Sequence, residues 1–271
     1  MTYYNLLTHY LGDSDLLTEY NAYAAWRRVC TNNGNIQEQQ FCRKSMLSAQ
    51  SLAGIEDLKA QLTSALADGG LLKLTAQERS ALSRIQNSAS YRARRFVQVP
   101  AEYNINNENL ELVNAAIAWA FYPKLLAREG KGWRNVATNQ AISIHPTSII
   151  RTTALPPQIK YLSFYSILQS GQAKNYNANS LTPVHPLALL LLVGEANFHP
   201  IANVVSVDGA RMKFVIEGWK TTAALKYLRL RLREVVEKRW KKADWIMPKT
   251  LKRWWDVWEE IVRSWEKKEA A

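Results

Sequence analysis

The sequence predicts a multi-domain α+β protein: a helical bundle first, a small β-barrel in the middle and amphipathic helices at the end. Three observations carry that reading. Apolar residues recur every three or four positions through the first quarter of the chain. Short β-branched runs, punctuated by Pro, Gly and Asn, follow in the centre. Beyond Gly218 the helical period returns, with Lys and Arg gathered on one side. The expected boundaries are a helical subdomain over 1–73, a basic and polar linker over 74–109, a barrel with its leading helix over 110–218, and basic, Trp-rich helices over 219–271.

In "DSDLLTEYNAYAAWRRVC", Ser14 or Asp15 can cap a helix, and Leu16, Tyr20, Tyr23 and Trp26 then fall on one stripe. A second helix is expected over "QEQQFCRKSMLSAQSLAGIEDLKAQLTSAL", where Leu52, Ile55, Leu58, Leu62 and Leu66 recur at helical spacing. Gly69-Gly70 stops it. From Leu74 to Asn109 the periodicity fades, as in a linker or long loop. Arg92, Arg94 and Arg95 are candidate RNA contacts in that stretch; a solvated basic loop is the alternative.

A helix resumes at "NLELVNAAIAWAFYPKLLARE", ended or kinked by Pro123. Strand signals follow. "AISIHPTSII" is short and β-branched, and "IKYLSFYSILQ" is apolar on both faces, which suits a central strand. "NVVSVDGARMKFVIEG" places Asp208-Gly209 between two alternating runs, a hairpin pattern. At least four such strands after a helical region suggest a small barrel, and the OB-fold is the natural candidate.

In the tail, Leu225, Leu228, Leu232 and Val235 share one helical face, and most Lys and Arg the other. The last helix puts Leu251, Trp254, Trp255, Trp258, Ile261, Val262 and Trp265 on a single stripe. Such a stripe is more often core than interface. Trp254 and Trp258 are nevertheless candidate partner-binding residues, because Trp is enriched at interaction hot spots.

The 271 residues carry 35 Lys and Arg against 23 Asp and Glu, a net charge of +12. That excess points to polyanions, nucleic acid before acidic membrane surfaces. With Cys30 and Cys42 as the two cysteines there is no disulfide framework and no Cys-x-x-Cys zinc site. The expected compartment is the cytoplasm, with the nucleus as alternative. The aliphatic run Leu187–Val193, seven residues, is far shorter than the roughly 20 that cross a bilayer, so no membrane role is expected. No phosphate-cradling Gly-Lys-Ser/Thr loop, no His-Glu-x-x-His helix and no Gly-x-Ser-x-Gly turn is present. Catalysis by this stretch itself is the least expected class, and no catalytic or metal-binding residue is assigned.

Several blocks resemble the C-terminal region of DEAH-box RNA helicases. "SDLLTEYNAYAAW" is similar to the opening of their helical helicase-associated domain, matching at Ser14, Asp15, Leu17, Thr18, Asn21, Tyr23 and Trp26 and departing at Leu16 and Glu19. "FCRKSMLSAQSLAGIEDLKAQL" resembles the next block, with Gln50 where arginine is usual. "AIAWAFYPKLLARE" and "ISIHPTSII" are similar to the family's OB-fold opening and its Ile-His-Pro-Ser-Ser loop. "VHPLALLLLVGE" resembles a segment of the RNA helicase A-like branch, which implies a short buried helix there.

The resemblance implies a passive RNA-channel wall beside motor domains that use ATP and Mg, with no cofactor in this stretch. It implies that His145, Thr147 and Ser148 face single-stranded RNA; that His145 only packs or caps the turn is the alternative. It also places the loop "SGQAKNYNANS" on the strand, where Asn179-Ser180 replaces the family's Arg-Asp pair and Lys174 and Tyr176 are the candidate substitutes; a plain solvated turn is the alternative. The alternative is a protein-interaction module that docks a ribosomal or activator partner through the OB surface or the Trp-rich helix.

Overall fold

A computed structural model describes residues 14–86, 96–150, 155, 159–170, 175–209 and 211–269. The chain forms two compact units. One is built mainly from Thr18–Asn106 with Arg239–Trp245; the other comprises Asn107–Lys238, Ile246–Ala271 and the short stretch ending at Leu17.

Helix α1 spans Asp15–Lys44 without a break in its assignment. Even so, Trp26 Nε1 donates to Glu38 Oε1 at 3.0 Å. On a straight helix those residues would stand about 18 Å apart, so α1 is sharply bent between them. The bend brackets Asn32-Asn33-Gly34-Asn35, poor helix formers that make bending cheap. The expected gap between two helices is therefore a bend. The true interruption lies at Ser45–Ser48, inside the stretch expected to be continuous. There Met46 takes a left-handed φ of 53° and Ser48 caps the next helix by accepting from Ser51 N–H.

Helix α2 (Ala49–Asp68) corrects a second expectation. Of the predicted stripe, only Leu52 is buried; Ile55, Leu58, Leu62 and Leu66 are 41–56% exposed. The buried face is Leu52, Glu56, Ala60, Thr63 and Ala67. Polar chemistry sets that choice. Glu56 takes an ion pair from Arg27 Nε at 2.9 Å, the hydroxyl proton of Tyr23, and Val97 N–H at 3.1 Å. A buried carboxylate so satisfied is stable inside, and the small Ala60 and Ala67 let neighbours approach. Burial and the Glu56 carboxylate hold the Tyr23 hydroxyl well above its ordinary pKa. Of the first helix's predicted stripe, Tyr23 and Trp26 are core and Tyr20 is exposed.

The expected linker contains α3 (Ala76–Gln86). A capping box starts it: Glu78 N–H donates to Thr75 Oγ1 at 3.2 Å, and Thr75 N–H donates back to Glu78 Oε2 at 2.7 Å.

In the second unit, α4 (Leu110–Phe121) is capped by Asn109, which accepts from Leu112 N–H at 3.0 Å. The chain then turns at Tyr122-Pro123, a cis bond, into β1 (Leu125–Glu129). "LLARE" is thus strand, not the tail of the helix. With β2 (Gly132–Asn135), β3 (Ala141–Ile144), β4 (Tyr161–Ser170) and β5 (Asn175–Pro183) it closes a barrel in the order β1-β2-β3-β5-β4. β3 and β5 run parallel; the other pairs are antiparallel. Leu126, Trp133, Ile142, Leu162, Phe164 and Leu181 fill the interior.

Helix α5 (Pro186–Leu192) is the aliphatic run of the sequence, and Ala188, Leu189, Leu190 and Leu191 are at most 1% exposed. The Asp208-Gly209 hairpin forms as expected between β7 (Val204–Val207) and β8 (Met212–Val215). It lies outside the barrel, in a separate sheet with β6 (Ala196–His199), order β6-β7-β8. That sheet, α4, α5 and the helices α6 (Trp219–Lys241) and α7 (Lys249–Glu269) share one core, which includes Leu228, Leu232, Trp258 and Val262.

Candidate nucleic-acid interface

The site that the sequence points to is the turn after β3. The parallel ladder (Ser143↔Asn177, Ile144↔Ala178) extends one step further as His145 N–H donates to Ala178 O at 3.0 Å. The chain then reverses, with Ser148 N–H donating to His145 O at 3.0 Å. Thr147 N–H donates to His145 Nδ1 at 3.2 Å, and the Thr147 hydroxyl lies 2.6 Å from the same nitrogen. An Nδ1 that accepts leaves the proton of the neutral ring on Nε2, an assignment made from these bonds. Pro146 and Thr147 are exposed. The turn therefore fixes an imidazole whose Nε2–H is a donor suited to phosphate or base oxygens, while the Thr147 hydroxyl spends its proton on Nδ1 and holds the ring in place.

Ser148 does something else. It is 6% exposed, and its hydroxyl donates to Asp15 Oδ2 at 2.8 Å. Asp15 also accepts Ile149 N–H and Leu181 N–H, each at 2.8 Å. Beside it, Ser14 Oγ and Thr182 Oγ1 are 2.9 Å apart. The Ser14-Asp15 pair, expected only to cap a helix, is the anchor that holds the β3 turn and β5. Ser148 belongs to that anchor, with its hydroxyl turned to Asp15.

Tyr176 lies in β5 rather than in a loop and packs half-buried against the barrel core. Ser180 has a φ of 50° and donates its N–H to Asn179 Oδ1 at 2.8 Å, so this pair shapes the strand where the family pattern has charged residues. Arg92, Arg94, Arg95 and Lys174 lie outside the described residues. Trp258 is 8% exposed, and Trp254 and Trp255 pack partly against the same core.

Among the described residues, no group of three or more His, Cys, Asp or Glu is placed to hold a metal ion. No described helix is long and apolar enough to cross a membrane.

Residues 113–196 match a family of oligonucleotide/oligosaccharide-binding (OB) folds. The matched segment contains the whole closed barrel and α5. Over a longer stretch the chain is 24% identical to the mouse (Mus musculus) ATP-dependent RNA helicase DHX29, across 211 residues that make up 73% of this chain and 13% of that protein. The chain is homologous to DEAH-box RNA helicases and carries their OB-fold. With the mouse helicase relative DHX57 it shares 25% identity over 246 residues, 83% of this chain and 17% of that one. Human (Homo sapiens) DHX29 is 40% identical over a shorter segment of 52 residues, 19% of this chain and 4% of that protein. The chain thus spans less than a fifth of the length of the first two relatives.

In this helicase homologue one buried cation escaped sequence reasoning. Arg229, on α6, is 4% exposed and donates to the carbonyls of Leu190, Val193 and Gly194, the Val193 bond at 2.7 Å. Arg233 also donates to the Gly194 carbonyl. The carbonyls at the end of α5 lack helical partners, and a guanidinium fork satisfies several at once. Burial, with Arg233 nearby, pulls the Arg229 pKa down to about 10, so it remains charged at neutral pH. In the sequence it reads as one more surface cation among the Lys and Arg of the tail. No spacing marks it as buried.

Proposed function

We propose that this chain is an RNA-gripping accessory region of a DEAH-box helicase. It holds a single strand beside motor domains, which supply ATP- and Mg-dependent movement, and closes the channel over the strand. A translocating motor needs contacts that tolerate every sequence, and phosphate and sugar contacts provide them. The observation that carries the reading is the exposed turn at His145 and Thr147, on a closed barrel of an oligonucleotide-binding family. The net charge of +12 adds a polyanion-seeking background.

The double substitution His145→Ala with Thr147→Val should weaken binding of the full chain to a short fluorescein-labelled oligouridylate by about tenfold. Loss of the one Nε2–H bond to a charged group, with the bond that orients the ring, accounts for that factor. Fluorescence anisotropy measures it. Affinity equal to the wild type would remove the turn from the interface.

A further inference from the structure

The outer face of α6 carries apolar side chains where a helix facing only water would carry polar ones. Trp219, Tyr227 and Leu230 are 61%, 54% and 53% exposed, while Leu228, Leu232 and Val235 are buried. At 3.6 residues per turn, Trp219, Tyr227 and Leu230 fall together with Lys220 and Lys226 within about a third of the helix circumference. Lys220 Nζ stands 5.9 Å from the Trp219 ring centroid. Tyr227 is stacked on Trp254 of α7, with centroids 6.5 Å apart and planes at 29°, which braces the ring from behind.

Charge identifies the occupant. Helix α6 carries eight Lys and Arg against two Glu. Arg229 and Arg233 are engaged with carbonyls, and Arg231 pairs with Glu234 at 2.7 Å, so Lys220 and Lys226 set the character of the aromatic face. Flat rings interleaved with ammonium groups suit a ligand with stackable faces and a regular negative backbone. A duplex conceals its base faces; a single strand does not. We infer that the Trp219–Leu230 face of α6 is a second binding surface for single-stranded RNA, with bases on Trp219 and Tyr227 and phosphates at Lys220 and Lys226. The inference rests on the RNA-binding reading above but uses none of the residues of the β3 turn.

The test uses the full chain and the same labelled oligouridylate over a range of salt concentrations. Trp219→Ala with Tyr227→Ala should weaken binding about tenfold or more and leave the salt dependence unchanged. Lys220→Glu with Lys226→Glu should weaken it and lower the salt slope by about 2. These side chains are exposed, and matching thermal unfolding would confirm that the variants fold. Photo-crosslinking of wild-type protein to RNA containing 4-thiouridine should give adducts at the start of α6. If the β3-turn variant loses affinity while both α6 pairs bind as wild type, the RNA-binding reading survives and this surface does not. The converse result keeps the α6 face and removes the turn. Absence of RNA binding by the wild type, or capture by anionic phosphatidylserine vesicles but not by RNA, overturns the inference.

Discussion

Replacing Gly194 with alanine should destabilise the protein by about 3 kcal/mol, from a left-handed backbone penalty of roughly 1–2 and an overpacking cost of roughly 1–3. Gly194 ends the aliphatic helix at a φ of 58°, where a Cβ would lie 2.5 Å from Asp208 Oδ1, 2.7 Å from the Tyr122 hydroxyl and 2.8 Å from Val207 Cγ1. None of these neighbours can retreat cheaply. Asp208 accepts Glu195 N–H at 3.0 Å and the Tyr122 hydroxyl proton, while the Gly194 carbonyl receives both Arg229 and Arg233. One methyl group would therefore disturb the junction of α4, α5, the hairpin and α6. Gly209 supplies the control: its φ is 63° but a Cβ there meets nothing within 4 Å. Gly209→Ala should cost only the backbone penalty, about 1 kcal/mol. Chemical denaturation of the two variants separates the terms. Equal losses at both positions would contradict the packing argument.

The second large effect is expected at Asp15. Asp15→Ala would strand three donors at once: the Ser148 hydroxyl, Ile149 N–H and Leu181 N–H. Asp15 and Ser148 are buried, at 8% and 6% exposure, so water cannot simply replace the carboxylate. Each buried donor left unpaired costs about 1–3 kcal/mol, and a total near 4 kcal/mol is the expected loss. Asp15→Asn keeps one oxygen and should lose about half of that. Ser148→Ala deletes one of those donors but also the acceptor of Ile150 N–H at 3.1 Å, and should cost about 2 kcal/mol. The same denaturation series measures all three. A stability for Asp15→Ala within 1 kcal/mol of wild type would mean that the anchor does not hold the turn.

Much of this architecture was readable from the residues, and the failures share a cause. The Asp208-Gly209 hairpin, the barrel strand "IKYLSFYSILQ" and the buried run at Leu187–Val193 were legible because local pattern and tertiary role coincide. The faces of α2 were not. Periodicity favours Ile55, Leu58, Leu62 and Leu66, yet the interior is built around Glu56, which needs Arg27, Tyr23 and Val97 from distant parts of the chain. The helix Ala76–Gln86 was missed although its Thr75-x-x-Glu78 capping box stands in the sequence. A helix of 11 residues after Gly69-Gly70, with so few apolar positions, reads as loop without that signal. At the site, the turn at His145 was visible through its family resemblance. The diversion of Ser148 to Asp15 was not, because it joins residues 133 positions apart. Arg229 and the outward aromatics of α6 belong to the same class: which side of a basic helix meets the core depends on partners that a local pattern does not name.

The central claim is that this region grips single-stranded RNA through phosphate contacts and without reading its sequence. The most direct measurement is the affinity of the full chain for oligouridylate and oligoadenylate as salt is raised. A gripping surface predicts a log–log slope near −0.7 for each phosphate contacted, so about −2 or steeper for three or more, and similar slopes for the two sequences. A flat salt dependence, or binding to one homopolymer with none to the other, would contradict it.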